Sequence, residues 1–563
     1  MTEQAIASPA SEAAWALLSE LVAQGVTHVI VSPGSRSQAL ALAAARLERE
    51  GRIRLHVRID ERVAGFTALG IGRELGVPAA LICTSGTAVA NLLPAALEAH
   101  HSGVPLLLLT ADRPPELRGI GANQTMRQPG LFDAITRFAV DAETPTGAAG
   151  EGERMAELAS SAFAHAVGAA GEAPAGPVHL NLPYREPLAG AMPAAEARDA
   201  DAPAAQTTAL ARPATAIPRG PRTVVVAGAD AGPAAEQIAH EGGWPLIAEI
   251  VSGARFGRNV VHGYREALRE PELGGRVERA IVFGHPTLSR EVSALLSDPA
   301  VEVVAVRRGG EELNLNGASR AVWGVDVADG PGDDVWRGAW LRFSQAHLPD
   351  LAPPAPDIDG LQSTDPHQRG EAVRAELEAV RRPLDRAQLV AAVWAATWPH
   401  DRLVFGSSRL VRIADALLPG KKVPVHANRG LAGIDGTVAT AMGVALASQG
   451  AARAGVTRVL LGDLTFLHDV GALLLPDIED EPRVQIVVGN DRGGTIFDGL
   501  EVASTASAED MSRVQYTPQS VRIEQLAMAY GWEHHRVTTR GALDQALTST
   551  VGRRQIIEVP LAR

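Results

Sequence analysis

The amino-acid sequence predicts an α/β protein of three tandem units, each holding a parallel sheet covered by helices on both faces. Three observations lead there. Short, almost wholly apolar runs that read as buried strands recur along the chain, separated by helical patterns. Two stretches interrupt the alternation and read as linkers: 189–219, which has neither period, and 347–382, which opens on a proline-rich run and carries a surface helix at 368–382. The length of 563 residues also exceeds what one hydrophobic core serves, since domains average roughly 150 residues. The units are therefore placed at 1–188, 220–346 and 383–563.

In chain order, the first unit opens with a helix at 13–24 and a strand at 28–31, followed by a Gly-rich turn, a helix and a strand at 54–59. Buried strands follow at 79–83 and 105–109, the latter with four consecutive leucines. The middle unit begins with a strand at 223–227, continues through 280–283 and 301–306, and ends at the proline-rich stretch 348–356. The third carries strands near 403–405, 458–461, 484–488 and 556–559. No short-period repeat is visible.

Composition narrows the function. With 46% hydrophobic and 21% charged residues, the chain has the make-up of a folded soluble protein rather than a disordered one. Fifty-two basic against 65 acidic residues leave a formal charge of -13, which argues against general affinity for nucleic acid or an anionic membrane. An anionic ligand must then be met by local cations. Lys421 and Lys422 are the only lysines, so nearly all positive charge is arginine, which grips carboxylates and phosphates bidentately; genomic base composition accounts for the bias equally well. The single cysteine, Cys83, excludes an internal disulfide or a cysteine-rich metal site and is expected to be buried. No basic segment precedes an apolar stretch at the start, and no run of 18 apolar residues occurs. A cytoplasmic protein without a membrane span is expected.

The most informative stretch is Gly462-Asp463-Leu464, directly after one apolar strand, followed 28 residues on by Asn490-Asp491-Arg492-Gly493-Gly494 after another. Carboxyl ends of parallel strands are where open α/β sheets bind ligands. Mg²⁺ takes six oxygens, a few from protein and the rest from phosphate and water, and Asp463, Asp491 and the Gly493 carbonyl supply such a set. Singly, each motif also reads as an ordinary turn.

The paired motifs resemble the diphosphate-binding signature of thiamin-diphosphate enzymes. That resemblance implies thiamin diphosphate held through Mg²⁺ or Mn²⁺, a thiamin-diphosphate-binding fold with a Rossmann-like middle unit, and a glutamate from another α/β unit across a subunit interface. Ile59-Asp60-Glu61-Arg62 offers Glu61, just past a strand end and opening an apolar helix. Taken alone, Glu61 is a first-turn acidic residue favoured by the helix dipole. In such enzymes the carboxylate shares a proton with the aminopyrimidine, general acid–base help worth about 10²- to 10⁴-fold.

Further strings narrow the resemblance: Ser32-Pro33-Gly34-Ser35-Arg36-Ser37, Thr84-Ser85-Gly86-Thr87-Ala88, Thr110-Ala111-Asp112-Arg113-Pro114-Pro115, Gly121-Ala122-Asn123-Gln124-Thr125, Ser408 with Arg412, Asn428-Arg429-Gly430, Gly433-Ile434-Asp435-Gly436 and Ile496-Phe497. In this order they resemble the 2-succinyl-5-enolpyruvyl-6-hydroxy-3-cyclohexene-1-carboxylate (SEPHCHC) synthase family over essentially the whole chain. The resemblance implies a transferase of menaquinone biosynthesis that decarboxylates 2-oxoglutarate and adds the four-carbon remainder to isochorismate. By position, Ser35, Arg36, Arg113, Asn123 and the catalytic Gln124 then face isochorismate, reached also by Arg290. Ser408, Arg412 and Arg429 hold 2-oxoglutarate, and Ile496 and Phe497 wall the site. Thr84, Ser85, Gly86, Glu61, Ile434, Gly462, Asp463, Leu464, Asp491, Gly493 and Gly494 contact the cofactor. A homodimer is the minimum unit and a homotetramer is implied.

The two substrates bring four carboxylates, and five arginines in motif positions answer them, although any one arginine alone reads as a surface or ion-pair residue. Ile434 alone reads simply as a buried residue. Two positions depart from the family pattern: Arg492 stands where an asparagine is usual, and Ser289 takes the first place of a basic pair ending in Arg290. The remaining motifs fail. Gly228-Ala229-Asp230-Ala231-Gly232 lacks the spacing of a dinucleotide loop, and neither a P-loop nor HExxH is present. His28, His56, His100 and His101 are expected to pack or cap. Another 2-oxo-acid decarboxylase or acetolactate-type ligase, which would lack the arginine set, and a non-catalytic regulatory homologue are the alternatives.

Overall fold

A computed structural model describes residues 8–193, 212–351, 355–449, 455–549 and 553–563. Most of the 189–219 linker stretch therefore lies outside the described residues. The fold class is the expected one: α/β, with every paired strand parallel.

The first sheet holds β1 (His28–Val31), β2 (Arg54–Val57), β3 (Ala79–Cys83), β4 (Leu106–Asp112), β5 (Phe138–Asp141) and β6 (Pro177–Pro183), in the order β2-β1-β3-β4-β6-β5. β7 (Thr215–Ile217) stands outside the main sheets and pairs with β13 below. The middle sheet uses β8 (Thr223–Ala227), β9 (Leu246–Ala248), β10 (Arg279–Phe283), β11 (Glu302–Val306) and β12 (Arg320–Val322), in the order β12-β11-β10-β8-β9, and β13 (Val325–Val327) pairs with β7. The third sheet comprises β14 (Arg402–Phe405), β15 (Val425–Ala427), β16 (Thr457–Gly462), β17 (Val484–Asn490), β18 (Glu533–Arg536) and β19 (Arg554–Pro560), ordered β15-β14-β16-β17-β19-β18. Counted from its own first strand, that is the strand plan of the first sheet. The stretch 347–382 carries helices Ile358–Gln362 and Pro366–Arg381.

Central strands such as β3, β4, β8 and β10 are buried along their whole length, which is why they read as continuous apolar runs. β2 ends at Val57, two residues before the predicted end. The Arg58 N–H still donates to the Val31 carbonyl at 3.0 Å while its side chain pairs with Glu479 at 2.9 Å, and Ile59 turns out to 72% exposure.

The first and third sheets share one core. Phe66, Leu69 and Ile71 of the helix Glu61–Leu75 lie in the same buried cluster as Val438, Ala441 and Met442 of the helix Thr437–Ser448. The helices cross with no room for side chains. A Cβ on Gly70 would meet the Thr440 carbonyl oxygen at 2.1 Å, and one on Gly443 would meet that of Thr67 at 2.1 Å. Glycine is needed at both places because backbone approaches backbone. The N-terminus of the second helix is tied to a buried acid: the Ala439 N–H donates to Asp469 at 2.9 Å.

The histidines pack. His28 and His56, neighbours on β1 and β2, stack at 5.2 Å with ring nitrogens 3.0 Å apart, and His56 faces Glu479. His100 contacts the Ile135 carbonyl at 2.7 Å. Among the described residues no helix is long and apolar enough to cross a membrane.

Two outcomes follow. Gly70→Ala and Gly443→Ala should each destabilise the protein by about 1–3 kcal/mol through overpacking, read as a lower urea midpoint; an unchanged midpoint would mean the crossing is looser than described. Burial, then His56, push His28 down to about 3 from 6.5. The unfolded chain thus takes a proton below pH 6.5 that the folded chain refuses until about pH 3, so stability falls as pH drops through that window. His28→Gln should flatten the fall between pH 7 and pH 5, where about 1.4 kcal/mol per pKa unit is at stake; equal slopes in both proteins would refute it.

Candidate active site

In the first sheet the strand order reverses between β1 and β3, so the loops after these strands border a crevice of the type that binds ligands in open sheets. The sequence places Ser32–Ser37 after β1, Thr84–Gly86 after β3 and Arg113 after β4. Gly34 lets the first loop lie on the second: a Cβ there would stand 2.3 Å from that of Thr84. The Arg36 N–H donates to Thr84 Oγ1 at 3.2 Å. Arg113 Nη1 donates to Ser85 Oγ at 3.2 Å and to the Gln124 carbonyl at 3.3 Å, while Gln124 Nε2 donates to the Ser85 carbonyl at 3.0 Å. Gln124 adopts a positive φ of 53°, uncommon for a non-glycine residue. Burial, and then the charge of Arg113, lower the Arg36 pKa; crowded cations of this kind favour an anionic ligand. Ser35 and Asn123 stand exposed at the rim. A residue not singled out in the sequence, Gln128, clamps this floor: its Oε1 accepts the Gly86 N–H at 3.0 Å and its Nε2 donates to Asn181 at 2.8 Å.

Glu61 begins its helix, with Asp60 as the cap accepting the Arg62 N–H at 2.8 Å. Its charge reaches Cys83 at the end of β3, whose thiol is pushed up by burial and then by Glu61. Among the described residues, Glu61 has no hydrogen bond or ion pair within its own chain. Cys83 is buried as expected.

In the third sheet the order reverses between β14 and β16, bringing the loops after β14, β16 and β17 together. Asp463 and Asp491 are 4% and 8% exposed. Burial and then Asp491 raise the Asp463 pKa to about 6, opposed by the N–H groups of Leu464 and Gly493. Asp491 accepts from Thr495 Oγ1 and pairs with Arg386 at 2.7 Å. Two buried carboxylates with one ion-pair partner leave a negative charge, the electrostatics of a cation site. Gly493 has φ +139°, and a Cβ there would strike the Tyr516 carbonyl oxygen at 2.3 Å. Gly494 donates its N–H to that same carbonyl at 2.8 Å. Arg492 takes a left-handed φ of 58° and is exposed, so the unusual residue points to solvent. Ile434 is 38% exposed beside Gly436 rather than buried, leaving an apolar side chain open to a ligand.

Next to these loops lies a cavity of about 610 Å³ lined by Arg265, Arg269, Arg290, Arg409 and Arg412 against only Glu266 and Glu291, with Thr287 and Ile496 in its wall. Ser408 caps the helix Arg409–Leu417 by accepting the Leu410 N–H at 3.2 Å, which aims Arg412. Arg429, 5% exposed, follows β15. Phe497 lies with Ile496 in the 3₁₀ turn Thr495–Gly499. Arg290 is exposed and meets Glu501 at 3.3 Å. Ser289 uses its hydroxyl to cap the helix Arg290–Ser297. A slightly larger cavity of about 680 Å³ contains Arg73 and Arg308, but both are paired with Asp230, so its charge is already answered. Arg265, Arg409 and Arg386 carried no motif in the sequence; nothing in their spacing marks them.

Residues 11–133 match the family described as thiamine pyrophosphate enzyme, N-terminal TPP binding domain. Over 99% of its length the chain is 54% identical to a protein of Leifsonia xyli subsp. xyli and 53% identical to one of Clavibacter michiganensis subsp. michiganensis, covering 97% of each. It is 39% identical to a Mycobacterium avium protein at the same coverages. All three bear the name 2-succinyl-5-enolpyruvyl-6-hydroxy-3-cyclohexene-1-carboxylate synthase.

Arg386→Ala should cost about 3 kcal/mol by leaving buried carboxylates uncompensated, and a second change, Asp491→Asn, should recover most of it. A double variant as unstable as the single one would show that Arg386 acts through packing instead.

Proposed function

The chain belongs to the SEPHCHC synthase family of thiamin-diphosphate enzymes, and from that premise we propose that it decarboxylates 2-oxoglutarate and adds the four-carbon remainder to the ring alkene of isochorismate, yielding SEPHCHC and carbon dioxide. The observation that carries the substrate reading is the arginine-lined cavity beside the buried carboxylate pair. In that cavity Arg412 has no ion pair among the described residues and stands near the charges of Arg265 and Arg290, an arrangement that suits an anionic ligand.

Thiamin diphosphate, when bound, supplies the electron sink that accepts the bonding pair left as carbon dioxide departs. The residues of this chain do the rest. Asp463, Asp491 and the Gly493 carbonyl would hold Mg²⁺ or Mn²⁺, with Gly462, Leu464 and Gly494 shaping the turns. Thr84, Ser85 and Gly86, with Ile434, would contact the cofactor. Glu61 would hold a proton on its carboxyl group for the cofactor's aminopyrimidine. Arg412 and Arg429, with Ser408, bind the carboxylates of 2-oxoglutarate. Arg36, Arg113, Gln124, Ser35 and Asn123 hold isochorismate, with Arg290 approaching from the middle unit. Ile496 and Phe497 exclude water, which would otherwise divert the carbanion equivalent to succinic semialdehyde.

That Glu61 has no partner among the described residues of its own chain supports a site completed by the third unit of another subunit, hence a dimer at least and a tetramer as the working assembly. A cytoplasmic location fits the lone buried cysteine.

Carbon dioxide release from 2-oxoglutarate, followed with and without isochorismate, tests the assignment: an adduct should form only with both substrates, and a preference for pyruvate would sink it. Glu61→Gln should keep cofactor affinity within a few-fold, read by fluorescence quenching, while turnover drops by about 10²-fold or more. Near-normal turnover would remove Glu61 from this role.

A further inference from the structure

We propose that the middle sheet positions the 2-oxoglutarate arginines, with Thr287 holding the Arg429 guanidinium and buried Glu249 holding the loop that carries Thr287. This rests on the reading of Arg429 as a 2-oxoglutarate residue.

Thr287 lies in the loop beyond β10. Its Oγ1 accepts from Arg429 Nε at 3.0 Å and from Nη2 at 2.7 Å, and its carbonyl accepts from Nη2 at 3.2 Å. Ser407 Oγ accepts from Nη1 at 3.3 Å. An arginine has five N–H donors; these bonds occupy four and leave one on Nη1. The guanidinium is thus locked in plane while keeping its charge and one donor for a ligand. The Arg429 carbonyl is fixed as well, 3.1 Å from His285 Nδ1 in the same loop.

The loop itself hangs on one acid. Glu249, just past β9 and fully buried, accepts the N–H of Thr287 at 2.8 Å and that of Leu288 at 2.6 Å, both on Oε1. Its Oε2 is buried without a partner. Burial and then Asp415 push the Glu249 pKa up to about 8, so near neutral pH it is largely the neutral acid, which still accepts two N–H groups on its carbonyl oxygen. A side-chain amide can do the same.

The same sheet also grips the helix that carries Arg412. Asp415 on that helix accepts from the Ile250 N–H at 2.9 Å, Tyr264 Oη at 2.6 Å and Arg265 at 2.5 Å. Arg255 donates to the Leu418 carbonyl at 2.7 Å. Every one of these donors belongs to the middle unit. The carboxyl ends of β9 and β10, where a nucleotide-binding sheet would receive its ligand, here serve as the joint that sets two arginines of the neighbouring unit.

The test is steady-state kinetics with each substrate varied separately, on Thr287→Val, Thr287→Ser, Glu249→Leu, Glu249→Gln and Arg429→Ala. Thr287→Val and Glu249→Leu should raise KM for 2-oxoglutarate about 10-fold or more while KM for isochorismate stays within twofold; Thr287→Ser and Glu249→Gln should restore it. If Arg429→Ala raises KM for 2-oxoglutarate but Thr287→Val does not, Arg429 keeps its role and the positioning proposal is wrong. If Arg429→Ala leaves that KM unchanged, the reading of Arg429 fails and the proposal falls with it. Should Glu249→Leu not fold, the Thr287 pair decides alone, because valine and serine change only the hydroxyl or the methyl group.

Discussion

Everything near the candidate site depends on the contact between the helices Glu61–Leu75 and Thr437–Ser448. Their backbones touch at Gly70 and Gly443, each of which would meet a carbonyl oxygen at 2.1 Å if it carried a Cβ. Direct backbone contact fixes separation and crossing with little freedom to slide, since no flexible side chain can absorb a displacement. Both helices begin beside candidate site residues, one at Glu61 and the other three residues after Ile434. A rigid crossing therefore sets where two of the loops stand, and the shared core around Phe66 and Met442 makes the first and third sheets one body.

Charge is organised just as tightly. Most buried arginines are already spoken for: Arg73 and Arg308 by Asp230, Arg255 and Arg265 by Asp415, Arg58 by Glu479. These pairs offset the desolvation of their own ions and hold units together. Around the cavity near Ile496, Arg265, Arg269, Arg290 and Arg409 are likewise paired, with Asp415, Glu291, Glu501 and Asp498, and among the described residues Arg412 is the one lining arginine without an ion pair.

The fold class was legible because central parallel strands bury both faces and so read as unbroken apolar runs. Edge strands other than β2 were not. β18, with Glu533, His534, His535 and Arg536, is polar and half-buried, and β5 and β15 are partly exposed, so neither period nor hydropathy announced them. The residues singled out in the sequence gather in two groups, Arg36 with Arg113 and Gln124 at the carboxyl edge of the first sheet and Asp463 with Asp491 at that of the third. Their supports were invisible. Thr287, Glu249, Arg386 and Gln128 make contacts with residues 38 to 142 positions away, and no local spacing in the chain records them. Ile434 was open to two readings, a buried residue among glycines or an apolar contact for the cofactor, and its 38% exposure goes against the first.

The common strand plan of the two outer sheets allows their positions to be matched. Just past the second strand of each stand Glu61 in one and Arg429 in the other; just past the fourth stand Arg113 and Asp491. At corresponding places the sign of the charge is reversed. One strand plan, used twice within a single chain, carries its acid after the second strand and its base after the fourth in the first sheet and the reverse in the third, so each sheet presents both signs of charge at its carboxyl edge.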